Sequence, residues 1–97
     1  MKAIVKEVGE EAQLRDIEND LETMQGLVGG YIEVVSTGEG ILLICNEEGK
    51  LNGLPVNFPI GGDVIVGTAV FVAHGQDGNF TDLSDKQIEI LMNFFKE

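Results

Sequence analysis

The chain has 97 residues, enough for one domain with its own core and too few for a second. Six lysines and arginines against 17 aspartates and glutamates leave a net charge of −11, which repels phosphate backbones and anionic lipid and so argues against direct nucleic-acid or membrane binding. A single cysteine, Cys45, excludes an internal disulfide and every zinc framework built on paired thiols.

Residues 2–8 mix short apolar and charged side chains and read as a first strand, leaving through Gly9-Glu10-Glu11. From Asp16 onward Ile17, Leu21, Met24 and Val28 recur at spacings of four, three and four, which predicts a helix with one apolar face. Acidic residues crowd its opening turn, where they complement the macrodipole, and Gly29-Gly30 supplies a left-handed stop. Residues 31–36 and 41–45 are β-branched and aromatic, and Thr37-Gly38-Glu39-Gly40 between them predicts a hairpin turn.

Leu51 is a candidate opening for a short strand, after which Pro55 and Pro59 remove backbone donors and predict a loop. Residues 64–72 read as a central strand, apolar on both faces, with Gly67 as a bulge. Ser84-Asp85-Lys86-Gln87 has capping-box spacing, Leu83 can staple onto Ile88, and Ile88, Leu91, Met92 and Phe95 form the stripe of a second helix. The sum is a single-domain α+β fold, residues 1–97, with two layers: a mostly antiparallel sheet of about four to five strands carrying two helices. A parallel contact of the first strand is left open. The N-terminal residues lack the apolar core of a signal peptide, and no apolar run nears the roughly 18 residues that span a bilayer, so a cytoplasmic location is expected.

The residue inventory disfavours catalysis. A hydrolytic triad needs nucleophile, base and orienting group, whereas the chain offers one histidine, His74, and two serines, of which Ser84 is better used as a cap. Cys45 sits in an apolar run and reads as a core thiol rather than a nucleophile. Glu47 and Glu48 are adjacent, so their side chains tend to diverge, and Asp77-Gly78-Asn79 lacks the remaining ligands of a calcium loop. Neither a catalytic set, a cofactor motif nor a metal site is expected.

Polar side chains and turn formers concentrate in one place, residues 45–57. Asn46, Asn52 and Asn57 bring amides, Glu47 a carboxylate and Lys50 a point charge, while Gly49 and Gly53 permit close approach of backbone. Such a loop suits a small polar ligand, with Tyr31 and Glu33 joining the same surface if their strand pairs with residues 41–45. The same residue types also stabilise turns by bonding their own backbone.

The chain resembles the domain-of-unknown-function 3846 family over nearly its whole length. The resemblance rests on Leu27-Val28-Gly29-Gly30-Tyr31-Ile32-Glu33, on Ile44-Cys45-Asn46-Glu47-Glu48-Gly49-Lys50-Leu51, on Leu54-Pro55-Val56-Asn57 and on Val66-Gly67-Thr68-Ala69-Val70-Phe71-Val72. It implies a small accessory protein of phages, plasmids and other mobile elements, which would place it in the host cytoplasm. Together these features lead to the expectation of a non-catalytic binding protein: a counter-defence sponge for a nucleotide-derived signal, built as a homo-oligomer with ligand residues Asn46, Glu47, Lys50, Asn52, Asn57 and Tyr31. Two other readings stand beside it: an acidic mimic of nucleic acid that occupies a basic groove of a host protein, and a purely structural module.

Overall fold

A computed structural model describes residues 1–96. In chain order these form β1 (Lys2–Lys6), β2 (Gln13–Asp16), α1 (Leu21–Val28), β3 (Ile32–Gly38), β4 (Ile41–Asn46), β5 (Val56–Ile60), β6 (Asp63–Val66), β7 (Ala69–His74), β8 (Phe80–Thr81) and α2 (Asp85–Phe95). The main sheet runs β2-β1-β7-β4-β3, with β8 attached to β7, and β5 and β6 make a separate two-stranded ribbon. This is the expected α+β class with two helices on an antiparallel sheet; with β8 the main sheet has six strands rather than four to five. Every pairing is antiparallel, so the parallel contact left open for the first strand is not made.

Alternation along the strands divides the core in two. Ile4, Leu43 and Phe71 point to one face, where they meet Phe58 and Ile65 of the β5–β6 ribbon and Leu91 of α2. Val5, Ile44, Val70 and Val72 point to the other, against Met24 and Val28 of α1. The helices therefore lie on opposite faces, and the sheet is covered from both sides rather than one. Strand β7 is central and buried on both faces, as its apolar run predicts.

Four phenylalanines lock the ribbon and α2 onto the first face. Phe58 stacks on Phe71 at 6.1 Å and meets Phe95 edge-on at 4.9 Å, while Phe94 and Phe95 pack edge-on at 5.0 Å. Full burial of such a ring contributes about 1.5–3 kcal/mol, so this cluster is a principal anchor of the ribbon. The α2 start is as predicted: Ser84 Oγ accepts from Gln87 N–H, Gln87 Oε1 accepts from Ser84 N–H, and Gln87 Nε2 donates to Glu39 O of the β3–β4 turn.

Several local expectations are corrected. The first helix begins at Leu21, not Asp16, because Gln13–Asp16 pairs with β1 and Asp20 is the N-cap, accepting from Thr23 N–H at 2.7 Å. Only Met24 and Val28 of the predicted stripe are buried helical residues; Leu21 is exposed, and Ile17 packs from the connection before the helix. Residues 56–60 form a strand despite Pro59, which a two-stranded ribbon tolerates because each strand has a free edge.

Residues 64–72 are two strands in two sheets. Gly67 adopts φ +72° and its N–H donates to Pro55 O, turning the chain from β6 in the ribbon to β7 in the main sheet. Leu51 lies in a turn and is largely exposed rather than opening a strand. No helix among the described residues is long and apolar enough to cross a membrane.

Candidate functional site

Residues 45–57 do not form one outward polar loop. Asn46, the last residue of β4, is buried: its Nδ2 donates to Val28 O at the end of α1, and its Oδ1 accepts from Glu48 N–H at 2.8 Å. Its own carbonyl accepts from Gly49 N–H, and the next residue, Glu47, donates its N–H to Tyr31 O. The amide thus ties the end of α1 to the end of β4 and shapes the following turn, the role open to any asparagine beside a chain reversal.

Asn57 also faces inward. Its Nδ2 donates to both Lys6 O and Gly67 O at 2.8 Å, and its Oδ1 accepts from Lys6 Nζ. It pins the β5–β6 ribbon to β1 and to the turn at Gly67. Asn52 is exposed within a tight succession of turns, in which its N–H donates to Glu48 O and Leu54 N–H donates to Gly49 O.

Five of the six expected ligand residues fall around two clefts on opposite faces of the sheet, with Asn46 as the wall between them. One cleft, about 170 Å³, is lined by Glu33, Val35, Cys45, Glu47, Lys50 and Asp63. The other, about 460 Å³, lies beside α1 and is lined by Glu22, Gln25, Tyr31, Glu48 and Asn52. Asn57 lines neither.

Charge decides what these clefts can accept. In the smaller one, Lys50 Nζ donates to Asp63 Oδ1 at 2.5 Å; that bond holds the Lys50 amine above its ordinary pKa. Asp63 is held below the usual carboxylate range by Lys50 and by the N–H of Val64. With this cation already paired, Glu33 and Glu47 remain as uncompensated carboxylates of the cleft. The larger cleft has Glu22 and Glu48 and no cation in its lining. Both repel anions. Burial raises the pKa of the Cys45 thiol, with Glu33 and Asp63 adding to the effect, so it lacks the electropositive surroundings that make a thiolate.

Asp63 has no sequence-level signal as a neighbour of Lys50, because the ribbon that brings it there was expected to be partly loop. Glu33 is where the predicted hairpin places it, opposite Cys45 and on the cleft face. His74 ends β7, its side chain exposed and its backbone N–H donating to Gly40 O. Asp77 accepts from Asn79 N–H, which lowers its pKa, and so closes its own turn.

No curated protein and no solved structure matches the chain. The model of a domain of unknown function, DUF3846, matches residues 1–96, and the chain therefore belongs to that family.

Proposed function

We propose that this chain is a non-catalytic binding protein directed at a basic protein partner. The observation that carries this reading is the charge of the two clefts: each has surplus carboxylates, and the one lysine present, Lys50, is already bound to Asp63. With a net charge of −11 behind them, they attract lysine- and arginine-rich surfaces and disfavour nucleotides. The mobile-element setting that the resemblance implies supports a counter-defence role, in which the protein occupies the basic groove of a host nuclease or regulator. A lone buried thiol fits the reducing cytoplasm where such a target resides.

Capture of host proteins on the immobilised chain tests the reading when elution by salt is combined with competition by duplex DNA. The expected result is a basic protein released as salt screens the contact and displaced by DNA. A nucleotide retained in native mass spectrometry, or one that raises the melting temperature by several degrees, would overturn it.

A second reading rests on the larger cleft, whose volume of about 460 Å³ suits a small molecule. Its tyrosine, amides and two carboxylates favour a neutral or zwitterionic ligand over a phosphorylated one. Substituting Tyr31 by alanine would abolish ligand-dependent stabilisation under this reading and leave capture of a basic protein intact under the first.

A further inference from the structure

The main sheet has two free edges, and they differ. Strand β2 is four residues long and guarded by charge, with Arg15 bound to Glu7 at 3.0 Å and to Gln13. Strand β3 is seven residues long, almost entirely exposed, and carries neither lysine nor proline, the usual devices that keep an edge from pairing. Its bulge falls only beyond Ser36, so residues 32–36 pair regularly with β4.

The direction of its free backbone groups follows from the register. Glu47 N–H donates to Tyr31 O, and Tyr31 and Glu47 continue the register in which Glu33 faces Cys45 and Val35 faces Leu43. Hydrogen-bonded pairs alternate along an antiparallel ladder, so residues 31, 33 and 35 bond to β4 while the N–H and C=O groups of Ile32, Val34 and Ser36 point outward. Nothing among the described residues pairs with that edge.

The side chains beside the edge state what would pair with it. On the cleft face Glu33 and Val35 stand next to Glu47, Asp63 and Val64; on the opposite face Val34 is 43% exposed. We infer that β3 accepts an extended, basic segment of the partner protein as an added strand, its backbone bonding to Val34 and Ser36, a lysine or arginine opposite Glu33, and an apolar side chain opposite Val34. A second copy of this chain is the poorer occupant, because two chains at −11 repel each other. The inference rests on the basic-partner reading above and adds to it where and how the partner binds.

The test uses an acetylated and amidated peptide of alternating lysine and valine, long enough to span Ile32–Gly38, against a glutamate–valine control. The lysine peptide is expected to bind, to slow hydrogen exchange at the Val34 and Ser36 amides, and to bind at least about tenfold more weakly to Val34→Pro, which removes an outward donor unused by the fold. Circular dichroism checks that the variant keeps its fold. If it does not, exchange at Val34 and Ser36 of the unaltered protein decides: slowing by the peptide supports the edge, and unchanged exchange overturns it. Equal, salt-sensitive binding to a folded Val34→Pro overturns strand addition and leaves the basic-partner reading standing. No binding of the lysine peptide at low salt overturns both, and a dimer in sedimentation that Val34→Pro abolishes overturns the choice of occupant.

Discussion

Asn46 and Gly30 are fitted to each other: a Cβ on Gly30 would lie 2.9 Å from Asn46 Nδ2, whose position is held by its bond to Val28 O. Gly30→Ala must therefore displace a buried, bonded amide and is expected to cost about 1–3 kcal/mol. Asn46→Ala leaves Val28 O and Glu48 N–H without their partner and is expected to cost a similar amount, about 1–3 kcal/mol. Because the two changes act on one contact, the double variant should be less destabilised than their sum, as measured by urea unfolding. Strict additivity would mean that the two residues do not meet in solution.

Asn57 is expected to behave as a structural rivet rather than a ligand group. Asn57→Ala removes a donor shared by Lys6 O and Gly67 O and should lower stability by about 1–3 kcal/mol. Hydrogen exchange should accelerate first in Val56–Ile60, the strand that this amide fastens to β1. Loss of partner binding with unchanged stability would instead make Asn57 part of a site.

Gly67 is held by conformation and by space together. Its φ of +72° disfavours any side chain, and a Cβ there would come within 2.8 Å of Leu54 Cδ1. Gly67→Ala should cost about 1–3 kcal/mol for the backbone alone, with a further steric cost. Shortening Leu54 in the same chain should relieve only the steric part. Thermal melts of the single and double variants separate the two contributions.

Phe58 joins the ribbon to β7 and α2, so Phe58→Ala should cost about 3–5 kcal/mol. Near-ultraviolet circular dichroism should report loosening of the aromatic cluster. A loss below about 1 kcal/mol would show that the ribbon is held chiefly by other contacts.

The acid limb of the stability curve follows from carboxylates bound in the native state. Asp20 is lowered by Thr23 N–H, Asp63 by Lys50 and Asp77 by Asn79 N–H. A carboxyl whose native pKa lies below its unfolded value stabilises the fold fully above the ordinary carboxylate range, about pH 4, and loses that contribution as pH falls through the native value. Melting temperature should therefore decline below about pH 4, and Asp20→Asn, which keeps an acceptor but not the titration, should decline less steeply. A decline that begins well above pH 5 would place control in other groups.

What could be read without coordinates was whatever depends on neighbours in the chain. The capping box at Ser84, the glycine stop after Val28, the turn at Thr37-Gly38-Glu39-Gly40 and the apolar run of β7 are each coded within a few residues, and each is found as expected. The placement of Asp16 in a helix failed because Ile17, which opens the apolar spacing, packs from the connection before the helix, while Asp16 closes a strand whose pairing with β1 nothing local encodes. Gly67 was legible as an interruption, but nothing local distinguishes a bulge within one strand from a handover between two sheets.

The direction in which a side chain points was decided by the tertiary structure. Asn46 and Asn57 are the same residue type as Asn52, yet two are drawn inward because α1, β1 and the turn at Gly67 present carbonyls that need donors. Composition alone determined that this chain is strongly acidic, with a single histidine and a single cysteine. Only the tertiary structure determined that Lys50 would place its charge on Asp63 and that β3 would stand at an open edge of the main sheet, since both depend on contacts between segments distant in sequence.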